Sequence, residues 1–71
     1  MHQAKTLAET LIDAGYIVSF HKDHGNLYVS VISKKTKDIK LDFIGFDHNL
    51  EESLKKAKEK LDRYEEKINE N

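Results

Sequence analysis

The spacing of apolar residues changes twice along this chain, and the two changes divide it into three parts. Up to Ile12 they recur as Ala4, Leu7, Ala8, Leu11 and Ile12, the i, i+3, i+4, i+7, i+8 stripe of an amphipathic helix. After Gly15 the period drops towards two, in YIVSFHK (16–22), LYVSVIS (27–33) and IKLDFIGF (39–46), runs rich in strand-forming β-branched and aromatic residues. From Leu50 the helical period returns as Leu50, Leu54, Ala57, Leu61, Tyr64 and Ile68, a two-in-seven seam narrower than most globular helices show. The pattern predicts an α+β fold of order αβββα, a three-stranded antiparallel meander with both helices packed on one face. The expected elements are a helix over about 2–14, strands over about 16–22, 27–33 and 39–46, and a helix over about 50–69, in one domain spanning 1–71.

Local signals agree with these divisions. Gly15 suits the left-handed position that closes a helix. Asn49 followed by Glu52 is a capping-box pattern, with Asp47 as the alternative cap. Glu51–Lys55, Glu52–Lys56 and Glu59–Arg63 place an acid four residues before a base on the last helix.

Register decides which side chains are left for function. A first hairpin closed around Asp23-His24-Gly25-Asn26 sets Phe20 opposite Val29 and Val18 opposite Val31 on one face. On the other face it sets Ile17 against Ile32, Ser19 against Ser30 and His21 against Tyr28. A second hairpin with an odd loop, 34–38, adds Leu41 opposite Val31 and Phe43 opposite Val29. The helices are then expected over Val18, Phe20, Val29, Val31, Leu41 and Phe43. The open face is expected to carry Ile17, Ser19, His21, Tyr28, Ser30, Ile32, Lys40, Asp42 and Ile44, isoleucines and a tyrosine among polar neighbours, as in a recognition patch.

Composition narrows the classes of function. Seventy-one residues without cysteine must be held by packing alone. A net charge of −1 gives no overall field for nucleic acid, although residues 16–46 hold five Lys against three Asp. Lys22, Lys34, Lys35, Lys37 and Lys40 are therefore the candidate set for a nucleic-acid alternative. No phosphate loop, nucleophile motif or zinc pattern is present, so no enzyme, cofactor or metal is expected; His2, His21, His24 and His48 read as surface residues. No signal peptide or membrane span is expected either, which makes a soluble, cytoplasmic protein the default. The last helix is longer than the strands, so Tyr64 and Ile68 are the candidates for self-association beyond the sheet.

Two resemblances follow from these stretches. The helix–strand–strand–strand–helix order, with DHGNLYVSV and Lys55, Lys56 and Lys58 near the last helix start, resembles double-stranded RNA-binding domains. That resemblance implies minor-groove contacts from the first helix and the loop after the first strand, and a lysine cluster at the start of the last helix. AETLIDAGYIVSF and FDHNLEESLKKAKEKL resemble small cysteine-free accessory proteins of phages and prophages, including inhibitors of CRISPR nucleases. This resemblance implies an accessory role in a mobile element; the residues themselves lead us to expect a small non-enzymatic module that binds another protein, through the open sheet face, or itself, through the last helix.

Overall fold

The computed structural model describes residues 5–69. Helix α1 (Leu7–Asp13) leads into strands β1 (Ile17–Asp23), β2 (Leu27–Lys35) and β3 (Lys40–Asp47), and helix α2 (Leu50–Asn69) closes the chain. The strands form one antiparallel sheet in the order β1-β2-β3. Both helices lie on the same side of it, as the apolar periods require.

α1 is shorter than its stripe suggests. Thr6 caps it: the hydroxyl oxygen accepts from the Glu9 N–H at 3.1 Å and the hydroxyl donates to Glu9 Oε1 at 3.1 Å, so the helix begins at Leu7. The expected start near residue 2 lies outside the described residues. At the other end Gly15 takes φ 96°, and the Gly15 and Tyr16 N–H groups donate to the Ile12 and Leu11 carbonyls at 3.0 Å. That pair of bonds is the Schellman motif, which turns the chain into β1.

The register corrects both expected hairpins. The first loop is three residues, His24–Asn26, not four, with Gly25 (φ 73°) and Asn26 (φ 63°) both left-handed. The second has an even length: Lys35 pairs with Lys40, and Thr36 and Ile39 close on each other around Lys37-Asp38. Val18 therefore faces Ile32, Phe20 faces Ser30, His21 faces Val29 and Lys22 faces Tyr28. On the far side Ile32 faces Phe43, Val31 faces Ile44 and Ser30 faces Gly45. Each loop differs from its expected length by one residue, and each difference exchanges the faces of β2. β1 and β3 keep the faces assigned to them, and β2 alone is inverted.

The core joins Leu11 of α1, Ile32 and Phe43 of the sheet, and Leu54, Ala57 and Leu61 of α2. Here α2 touches the sheet through small residues. Ser30, Ser53 and Ala57 are fully buried. The Ser53 hydroxyl donates to the Leu50 carbonyl at 2.7 Å, so the Ser30 hydroxyl is the donor in the 2.5 Å bond between the two serines. A Cβ on Gly45 would stand 2.1 Å from the Ser53 carbonyl oxygen and 2.5 Å from the Ala57 nitrogen. Tyr64 packs on Phe43 with ring centroids 5.5 Å apart, and the Tyr16 hydroxyl donates to Glu65 at 2.8 Å. Burial, and then that bond to Glu65, raises the Tyr16 pKa.

Asp47 fixes the passage from β3 into α2. One carboxylate oxygen accepts from the Asn49 N–H at 2.9 Å and the other from Lys56 at 2.6 Å, while Asn49 caps α2 by accepting from the Glu52 N–H at 3.2 Å. The bond from Lys56, helped by the Asn49 N–H, holds the Asp47 carboxyl below the ordinary carboxylate range and raises Lys56 in turn. A depressed acid adds stability above its unfolded value of about 4, and that stability is lost as pH falls through the folded value. Asp47→Asn is therefore expected to melt below the wild type at about pH 7, with the difference gone near pH 2. Thermal unfolding followed by circular dichroism at the two pH values measures it, and an equal deficit at both would remove the ion pair as its cause.

Candidate functional site

No described element covers the side of the sheet away from the helices, and alternation assigns its residues. Across the strands it reads Lys35 and Lys40; then Ile17, Ser33 and Asp42; then Ser19, Val31 and Ile44; then His21, Val29 and Phe46; then Asp23 and Leu27. Ile17 is 55% exposed, Ile44 36% and Phe46 49%. Val29, Val31 and Leu27 are half-buried by their neighbours alone. Val31, Ile44, Val29 and Phe46 form a contiguous apolar patch over β2 and β3, with Ile17 at one corner.

Polar groups frame this patch. The Ser33 hydroxyl donates to Asp42 at 2.6 Å. His21 lies two rows from that pair, on the edge strand. Lys35 and Lys40 sit directly opposite each other on the open side, a like-charge cross-strand pair that costs stability unless an acid meets it. At the other end of the face stands Asp23, whose side chain accepts from the His24 N–H at 2.8 Å.

Of the residues expected on this surface, Ile17, Ser19, His21, Lys40 and Ile44 lie on it, together with Asp42. Tyr28, Ser30 and Ile32 do not: they are on the helix side of the sheet, where Ser30 and Ile32 are 0% exposed. The hairpin loops, each one residue off the expected length, are the cause. Val29 and Val31 take their place, and the face is more apolar than expected. Phe46 was legible from alternation, two residues beyond Ile44 on the same strand.

The nucleic-acid set is split. Lys34, Lys35, Lys37 and Lys40 gather at the second hairpin, with Lys34 turned to the helix side. Lys22 is at the opposite end of the sheet, its ammonium 5.5 Å from the centre of the Tyr28 ring. Near the start of α2, Lys55, Lys56 and Lys58 pair with Glu52, Asp47 and Asp62. The self-association candidates also part: Tyr64 lies against Phe43, and Ile68 is 50% exposed past the end of the core. Tyr64 thus does not overhang the sheet, since its ring is seated on Phe43 of β3.

A concavity lies on the helix side, a groove of about 480 Å³ between the starts of α1 and α2. Phe20, 42% exposed, lines it with Leu7, Ala8, Leu50 and Leu54. Among the described residues no three His, Asp or Glu side chains converge, and no helix is long and apolar enough to cross a membrane. Comparison of the chain with protein-family models, with curated proteins and with solved structures gave no match in any of the three.

Proposed function

We propose that the protein is a small binding module that engages another polypeptide through the open face of its sheet. The observation that supports this most directly is the patch of Val29, Val31, Ile44 and Phe46, which no element of the described chain covers. A sheet face whose only task was to meet water would alternate to polar residues here, as β1 does with Ser19 and His21. A flat apolar centre with a charged margin is the anatomy of a recognition surface. Its shape also favours binding over catalysis, since the bonded Ser33–Asp42 pair, with Lys35 and Lys40 in the next row, lies on a flat sheet face.

The test is photo-crosslinking in cells that naturally express the chain. A benzophenone side chain in place of Phe46 is expected to capture a discrete polypeptide, and one in place of Glu59, on the exposed side of α2, is not. Capture from position 59 with none from position 46 would reverse the assignment of the binding surface.

A further inference from the structure

We infer that one polypeptide this face accepts is a second copy of the same chain, stacked sheet on sheet with the strands running in opposite directions; this rests on the open face being the interface. The argument comes from charge and area. Along the strands the face is polarised, with Lys35 and Lys40 outweighing the neighbouring Asp42 at the second-hairpin end and Asp23 alone at the first-hairpin end. Two copies meeting face to face about a two-fold must have the axis in the plane of the sheet. An axis along the strands lays Lys35 and Lys40 over their own symmetry mates. An axis across the strands, between the Val31/Ile44 and Val29/Phe46 rows, lays them one row past the partner's Asp23, a step that an extended lysine side chain spans, twice by symmetry.

The second arrangement also stacks the apolar centre on itself. Val31 and Ile44 of one copy lie over the Val29 and Phe46 region of the other, in the aligned packing that two twisted sheets adopt at about −30°. It gives the opposed lysines the acid that the monomer does not bring to them: no ion pair involves Lys35 or Lys40 among the described residues. Three strands about 4.8 Å apart and roughly 25 Å long present close to 400 Å² in projection. With side-chain relief, two such faces remove about 1,000 Å² from water, where specific interfaces begin. The expected dimer is therefore weak, with a dissociation constant on the order of tens of micromolar, and sensitive to salt.

Charge exchange tests this without touching the core. The full chain is run by sedimentation velocity from about 10 µM to about 1 mM, a range that brackets the expected constant. The wild type is expected to pass from monomer to dimer, with affinity falling about tenfold at high salt. Lys35→Glu/Lys40→Glu opposes acid to Asp23, and Asp23→Lys opposes base to the lysines, so each variant alone is expected to stay monomeric. An equimolar mixture of the two is expected to form a heterodimer, because both ends are then complementary. A wild type monomeric throughout, or variants that dimerise as well alone as together, overturns self-pairing. The crosslinker at position 46 separates the two readings. Capture of a different polypeptide by a monomeric chain removes only the second copy, and capture from position 59 alone removes the face as well.

Discussion

Gly45→Ala is expected to be the most destabilising of these substitutions, although local preference points the other way. Glycine in a strand interior has no side chain to pack, and replacing it ordinarily strengthens the strand. Gly45 does not have a positive φ, so its backbone would accept alanine. The obstacle is space. The new methyl would lie 2.1 Å from the Ser53 carbonyl oxygen and 2.5 Å from the Ala57 nitrogen, both main-chain atoms of α2 that no rotamer change can move. Relief requires the helix to lift by about 1 Å, a gap that forfeits a quarter to a half of each dispersion contact along it. Leu54, Ala57 and Leu61 would all lose their seat against Ile32 and Phe43. Overpacking commonly costs 1–3 kcal/mol, and a clash with rigid backbone should exceed about 3. A domain of this size has only about 4–10 kcal/mol in total. Urea and thermal melts should show the midpoint falling by roughly 15 °C or more. Trimming side chains, as in Gly45→Ala/Ser53→Ala, should not rescue it. A loss under about 1 kcal/mol would mean that α2 rides higher on the sheet than the Ser30–Ser53 bond allows.

That close approach also explains where the sequence could be read and where it could not. The two changes of period, with the turn residues between the strands, locate every element, because amphipathic stripes and alternation follow directly from helix and strand geometry. Asn49 as the α2 cap and Gly15 as the α1 stop were legible for the same local reason. The face of β2 was not. LYVSVIS alternates almost equally well in either phase, with Val29 and Val31 on one side and Tyr28 and Ile32 on the other. Hydrophobicity favours the valines. The core instead takes Ile32 with Ser30, since only a small residue fits where α2 meets the sheet opposite Gly45. The hairpins might have broken the tie, but each depends on a single residue of loop length. Two left-handed residues, Gly25 and Asn26, shorten the first loop, and the Thr36 hydroxyl at Ile39 closes the second. These differences cancel between β1 and β3, which is why Ile17, Ser19, His21, Lys40 and Ile44 were placed on the open face while Tyr28, Ser30 and Ile32 were not.

Ile32→Ala and Val31→Ala, adjacent truncations on one strand, should give sharply different losses. Ile32 is 0% exposed at the centre of the sheet, between Val18 and Phe43 and under the helices. Removing its outer carbons leaves a cavity that Leu11, Leu54 and Leu61 cannot fill without breaking the Ser30 and Gly45 contacts, so the cost should be 2–5 kcal/mol. Val31 stands on the other side, half-buried by Ser19 and Ile44 with no layer above it. Its truncation removes less buried area and leaves no enclosed void, so the expected cost is below about 1 kcal/mol. Both should be measured by urea denaturation in dilute solution, because association through the open face would add its own stability to the wild type. At high concentration the second difference should widen as Val31 becomes part of an interface, and the first should not. Equal losses in the dilute chain would mean that something already covers Val31, leaving neither an open face nor a surface for a partner to use.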